Sequence, residues 1–310
     1  MGAMTEPSPI RIAYAALGAG STPVWIAHEA GLFAAEGLDV EVALIRGSKS
    51  AAEALMEGAA QFGNFAAPAV VEANLRGGDL VYLTGGINQL VQSLIVRPEI
   101  VHPAQLRGRT LGAGEPGDPQ AHLLRLLLGR HGLELGRDLA TRYIANQPEA
   151  IELMDAATID GAMFSPPYSF VAEKHGHRVL VDAGELHLEY QLGGLIARRA
   201  YIDAHPDIIE KAVRAYVRGV HRFKTRPDEA VQVFRKYSRL EDEEVARRCW
   251  AVMDRYFLPA PYPTLKGMQA VIEQMEEHRP EAAAADAGAM VDLRWVRALE
   301  ESRFIDGLYR

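Results

Sequence analysis

PIRIAYAALGAGSTPVWIAHEAGLFAAEGLDVEVALI, residues 9–45, reads as strand, helix, strand. PIRIAYAAL (9–17) is apolar and rich in β-favouring side chains, so it makes a buried strand, and the small-residue loop GAGST (18–22) follows it. Ser21 or Thr22 can cap the helix that Pro23 opens, because the first helical nitrogen has no intrahelical partner to lose. That helix covers VWIAHEAGLF (24–33), and GLDVEVALI (37–45) is the next strand. The rhythm then repeats. RGSKSAAEALMEGA (46–59) is loop then helix, with Ser50 and Glu53 at capping-box spacing. QFGNF (61–65) is a short apolar stretch, APAVVEANLRG (67–77) a helix and DLVYLTGGI (79–87) a strand. Alternation of this kind demands a mainly parallel sheet with helices on both faces, the α/β class.

After QSLIVRP (92–98) a second, smaller α/β unit begins. LRGRTLGAG (106–114) is strand and turn, a helix starts near 118, RYIAN (142–146) precedes a helix from 148, and TIDGAMFSPP (158–167) and RVLVDAG (178–184) complete the unit. QLGGLIARRAYI (191–202) reads as the return strand to the first unit. From Pro206 the chain turns to long helices. Ile208, Ile209, Ala212, Val213, Tyr216, Val217 and Val220 follow helical spacing and imply one buried face. The Ala-rich AAAADAG (282–288) reads as exposed helix or linker. Two crossings, near 92–98 and 191–198, make a bilobed molecule: residues 8–97 and 194–310 form one lobe, 98–193 the other. Ligands belong in the crevice at the carboxyl ends of the strands.

Composition narrows the function. The 310 residues carry a formal charge of −8, with 48% hydrophobic and 24% charged side chains. That is ordinary globular material without the basic field that nucleic acid needs. No apolar run approaches the roughly 18–20 residues of a membrane span. The single cysteine, Cys249, excludes an internal disulfide framework and a Cys-rich metal site. The start, MGAMTEPSP, lacks the charged and apolar regions of a signal peptide, and Met1–Ala3 look like a cloning remnant. Two expectations follow: a cytoplasmic protein beginning at Met4, or a periplasmic or cell-surface protein whose export signal has been removed.

The loops that should meet at the crevice supply the candidate ligand residues. The first unit offers Ser21, Thr22, Ser48, Asn64, Phe65 and Ala66; the second offers Glu115, Gly117, Asp118, Asn146, Phe164, Ser165 and Tyr168. Most lead into helix N-termini, where free N–H groups and the dipole favour an acceptor or anion. Thr22, Ser50 and Asp118 could equally serve only as helix caps. Trp25, Phe65, Phe164 and Tyr168 are either flat walls for an aromatic ligand or core. His122 lies early in the helix after Asp118, where its ring could reach the crevice. GAGEPG (112–117) has dinucleotide-loop spacing but no clear acidic companion in a following βαβ unit, so no cofactor is expected. His28 shares a helical stripe with Trp25 and Leu32 and reads as packed. No H-x-x-x-H or H-E-x-x-H occurs, so no metal is expected.

PVWIAHEAGLFAAEGLDVEVALIRGSKSAAEALMEGAAQFGNF and LRGRTLGAG…LLLGRHGL…IDGAMFSPPYSFVAEKHGHRVLVDAG resemble the nitrate/sulfonate/taurine family of ABC-transporter solute-binding proteins. The likeness spans residues 9 to 245, through GLF-x-x-EGLDV, EAL-x-x-G-x-x-x-F-G and LRG-R-T-LG. It implies a two-lobed periplasmic-binding-protein-like fold of type II and a protein that closes on a small organic acid or heterocycle and hands it to a transporter permease. The wider superfamily includes thiamine-pyrimidine-synthase-like proteins, whose cysteine-rich motif this chain lacks. Relatives by fold include decarboxylases and dehydratases of small acids. An enzyme of that kind would use His122, Glu115 or Asp118 as proton donor or base. A sensing protein whose partner-binding face changes on closure is the third expectation.

Overall fold

β1 (Ile10–Tyr14) and β2 (Val40–Leu44) lie side by side in parallel in a computed structural model of the chain, which describes residues 9–114 and 119–310. Helices α1 (Thr22–Glu29) and α2 (Leu32–Ala35) connect them, and α3 (Ser48–Met56), β3 (Phe62–Asn64), α4 (Ala67–Leu75) and β4 (Leu80–Tyr82) continue the alternation. The next elements are β5 (Ile87–Gln89), β6 (Ser93–Val96), β7 (Thr110–Ala113), α5 (Pro119–Arg130), β8 (Ala140–Tyr143), α6 (Gln147–Asp155), β9 (Gly161–Phe164), α7 (Tyr168–Lys174) and β10 (Arg178–Asp182). β11 (Glu189–Leu192) and β12 (Ile196–Arg198) lead into the helical third of the chain: α8 (Arg199–Ala204), α9 (Pro206–Thr225), α10 (Pro227–Ser238), α11 (Glu243–Met253), α12 (Leu265–Glu276), α13 (Arg294–Glu301) and α14 (Phe304–Leu308).

Two five-stranded sheets share one plan. Their orders are β2-β1-β3-β12-β4 and β8-β7-β9-β6-β10. In each, one strand runs against the rest: β12 is antiparallel to β3 and β4, and β6 is antiparallel to β9 and β10. Each reversed strand has just arrived from the other unit. The chain passes between sheets through β5 and β11, which pair antiparallel as a narrow ribbon. The first crossing therefore precedes residues 92–98. Ser93–Val96 are all buried, and an apolar run of that kind needs a paired place inside a sheet; an exposed link would leave it in water.

The core of the first lobe is clamped by the long helices. Ile209, Ala212, Val213, Tyr216, Val217 and Val220 of α9 are buried as their spacing predicts, with Ile208 at the margin. At Gly219 the helix backs directly onto α1, and a Cβ there would stand 2.3 Å from the Pro23 carbonyl oxygen. The Ala-rich stretch differs from expectation. It forms two 3-10 turns, Pro280–Ala284 and Ala287–Met290, that bury Ala282 and Ala287 in the core cluster shared with α4 and α12.

Candidate functional site

A cleft of about 670 Å³ opens between the two sheets, at the carboxyl ends of β1, β2, β7, β8 and β9. The first lobe contributes residues 15–18 after β1 and Arg46 and Gly47 after β2; the second contributes Gly114, Gln120, residues 144–148 and residues 165–168. Gly47 adopts φ +91, a left-handed turn that glycine makes at least cost, and its N–H donates to the Ala15 carbonyl at 3.1 Å. That turn ties the loop after β2 to the loop after β1 and sets Arg46 on the cleft wall. Arg46 is exposed and has no ion pair with any described residue.

The second-lobe wall is braced from within. Gln147 Nε2 donates to Ser165 Oγ at 2.9 Å, and Ser165 N–H donates to Gln147 Oε1 at 3.0 Å, so the loops after β8 and β9 hold each other. Asn146 caps α6 by accepting the Glu149 N–H at 2.9 Å. Asn146, Ser165 and the half-buried Tyr168 all line the cleft.

Other predicted residues lie elsewhere. Thr22 Oγ1 donates to the Ala19 carbonyl at 2.8 Å and Ser21 Oγ donates to Asn64 Oδ1 at 3.3 Å; both residues are buried and neither lines the cleft. Asn64 Nδ2 is buried with no partner among the described residues. Ser48 and Ala66 meet each other, with the Ala66 N–H donating to Ser48 Oγ at 3.4 Å. Trp25, Phe65 and Phe164 are core, correcting their reading as ligand walls. Trp25 stacks on Tyr237 at 4.9 Å and meets the edge of Tyr14; Phe164 packs in the cluster with Ile95, Ile144 and Ile151. A buried ring gains more from the packed interior than from a wet crevice.

His122 also requires correction. Its ring meets Glu277, with Nδ1 at 3.5 Å from Oε1, and it is not among the residues that line the cleft. Arg125, one turn on, meets the same carboxylate at 3.6 Å. Burial lowers the His122 pKa, outweighing the opposing pull of Glu277. Glu115, Gly117 and Asp118 lie outside the described residues. The HGH turn is structural: His175 and His177 each bond Asp155 at 2.8 Å. Among the described residues no group of three or more His, Cys, Asp or Glu side chains is placed to hold a metal ion, and no helix is long and apolar enough to cross a membrane. Sequence reasoning missed Arg46 and Gln147. Arg46 stands in the loop between β2 and α3 and Gln147 opens α6 directly after the loop that follows β8, and that strand-to-helix position was the available signal.

The family model described as NMT1/THI5 like matches residues 19–230. Curated proteins give no match. Among solved structures, a protein from Bordetella bronchiseptica RB50 is 21% identical with a TM-score of 0.76, covering 96% of this chain and 98% of that one. The periplasmic aliphatic sulphonate binding protein SsuA from Escherichia coli is 19% identical with a TM-score of 0.75, over 93% and 92%. The periplasmic nitrate-binding protein NrtA from Synechocystis PCC 6803 is 14% identical with a TM-score of 0.74, over 96% and 89%. Together they establish the two-lobed periplasmic-binding-protein fold.

Proposed function

The chain belongs to the NMT1/THI5-like family, and on that premise we propose that it is a solute-binding protein that captures a small organic ligand between its lobes. The observation that carries this reading is the cleft of about 670 Å³, lined by strand-end loops of both sheets. A volume of that order suits a small organic molecule. The β5–β11 ribbon is the hinge about which the lobes close on it. The sulphonate- and nitrate-binding proteins that share the fold support a binding role, a place in the periplasm or at the cell surface, and delivery to an ABC-transporter permease. The placement of His122 against Glu277, outside the cleft lining, leaves the enzymatic alternative to Glu115 and Asp118, which lie outside the described residues.

Ligand-dependent thermal stabilisation across sulfonates, aromatic carboxylates and pyrimidines tests the proposal. A true ligand at one hundred times its Kd stabilises the protein by about 2.7 kcal/mol, which raises Tm by several degrees. Chemical conversion of a stabilising compound, detected by mass spectrometry, would replace the binding role with an enzymatic one.

A further inference from the structure

We infer that the proline-rich segment after α11, residues 258–264, is a strap that makes the β5–β11 ribbon part of the first lobe, so that the lobes pivot where the ribbon enters the second lobe, at residues 90–92 and 183–188. This rests on the reading that the lobes move, and it locates the joint.

The ribbon is not stiff by itself. Glu189 pairs with Gln89 and Leu192 with Ile87, which leaves one extra residue in β11, a bulge. Two strands alone are marginal in water, so whatever fixes their direction comes from outside them.

Glycines at the first-lobe end, Gly85 and Gly86 on one strand and Gly193 and Gly194 on the other, are where flexibility is expected from sequence. The structure packs them tightly instead. A Cβ at Gly194 would collide with the Thr84 carbonyl, and one at Gly86 would stand 2.9 Å from the Gly193 backbone. The Leu83 N–H donates to the Leu195 carbonyl at 2.8 Å and the Leu195 N–H to Thr84 Oγ1 at 2.9 Å.

LPAPYPT (258–264) then crosses both strands, stiffened by Pro259, Pro261 and Pro263, whose rings fix φ. The Pro261 carbonyl accepts the Gly85 N–H at 2.6 Å and the Tyr262 carbonyl accepts from Asn88 Nδ2 at 2.7 Å, which holds β5. The Thr264 N–H donates to Gln191 Oε1 at 2.8 Å and Thr264 Oγ1 to Glu189 Oε2 at 3.0 Å, which holds β11. Gln191 is wholly buried, and its Nε2 donates to the Gly193 carbonyl at 2.7 Å. α12 follows at once and lies on β11: a Cβ at Gly267 would stand 2.9 Å from the Gln191 nitrogen, and the Tyr190 hydroxyl donates to Gln274 Oε1. The Tyr262 hydroxyl donates to Glu300 of α13 at 2.7 Å, which anchors the strap on the first lobe.

The second-lobe end has no such brace. The Leu90 N–H donates to the Leu188 carbonyl at 3.0 Å and the Ala183 N–H to the Gln92 carbonyl at 2.9 Å, but among the described residues the strap gives residues 90–92 and 183–188 no hydrogen bond. Just ahead of the strap, the Tyr256 hydroxyl meets Gly184 by packing alone. His187 takes a left-handed φ of +49, and Gln92 Oε1 is buried with no partner among the described residues. A joint bends where the fewest groups are fixed.

Pulsed electron paramagnetic resonance on the ligand-free full chain tests the assignment, with nitroxide pairs among Gln89→Cys on the ribbon, Glu210→Cys on α9 and Arg130→Cys on α5, in a Cys249→Ala background. The expected result is a narrow 89–210 distance distribution and an 89–130 distribution as broad as that of 210–130. Asn88→Ala combined with Thr264→Val cuts one side-chain bond to each strand, and should raise the population of ribbon detached from the first lobe about fivefold for each bond lost, read as a second 89–210 distance. Thermal melting of that variant checks that both lobes remain folded, and the three parental distances test the pivot without it. A narrow 89–130 distance with a broad 89–210 distance overturns the assignment, because the ribbon then travels with the second lobe. An unchanged 89–210 distribution in the folded double variant removes the strap as the cause. A narrow 210–130 distance overturns the pivot altogether, whereas the binding role stands or falls separately on ligand-dependent stabilisation.

Discussion

The seam inside the first lobe and the seams between the lobes are made of different matter. Within the lobe, α1 and α9 meet through the buried Gly219, Pro23 and Ala27, and the neighbouring buried Trp25 is stacked on the half-buried Tyr237. On the two flanks between the lobes the polar contacts are charged and partly exposed, although apolar residues of both lobes also share core clusters. On one flank Lys174 of α7 reaches Asp242 and Glu244 at 2.7 Å, and Arg248 of α11 bonds Glu173 at 2.6 Å while lying over the Phe170 ring. On the other, His122 and Arg125 of α5 face Glu277, with His278 at 3.0 Å from Arg125. Close-packed apolar surfaces part only at large cost, whereas exposed ion pairs trade readily for water. The charged flank contacts therefore resist separation less than the apolar seam inside the first lobe.

The largest effect should follow from breaking the apolar seam. Trp25→Ala removes a fully buried ring and is expected to lower the unfolding free energy by about 3–5 kcal/mol in denaturant titration. Near-parental stability together with weakened ligand binding would return Trp25 to the cleft. Gly219→Val should cost about 1–3 kcal/mol by the same measurement, because the added Cβ collides with the backbone of α1.

The charged seam should respond differently. Lys174→Ala and Arg248→Ala are each expected to change unfolding free energy by about 1 kcal/mol or less. They should nonetheless enlarge the ligand-free radius of gyration in X-ray scattering, as the lobes part on that flank. A stability loss as large as that of Trp25→Ala would erase the distinction between the seams.

The smallest effect concerns pH and belongs to the other flank. Burial depresses the His122 pKa, so the unfolded chain binds its proton more readily than the folded one. Its contribution to stability is present above the ordinary histidine value of about 6.5 and is lost as pH falls through the depressed folded value. Melting curves between pH 7.5 and 5.5 should show this slope, and His122→Gln should flatten it. An unchanged slope in that variant would assign the effect to another group.

Legibility followed the range of the interactions. The β-α-β rhythm of residues 9–45 and the buried face of α9 were readable because period and capping are properties of adjacent residues. Ser165 and Tyr168 were placed at the crevice by the rule that strand-end loops converge, and the structure brings both to the cleft. The aromatic residues were not decidable in this way. Trp25 becomes core only because Tyr237, from the far end of the chain, lies flat against it. His122 leaves the crevice because α12 delivers Glu277 to its ring.

What the sequence determined by itself is the class of fold, the alternation of elements and the loops from which a site could be drawn, since each depends on neighbours along the chain. Tertiary structure alone decided that Ser93–Val96 enters the second sheet, which aromatic rings are buried, and that Arg46 lines the cleft. Those outcomes depend on segments far apart in sequence meeting in space, and no local pattern encodes which partner arrives.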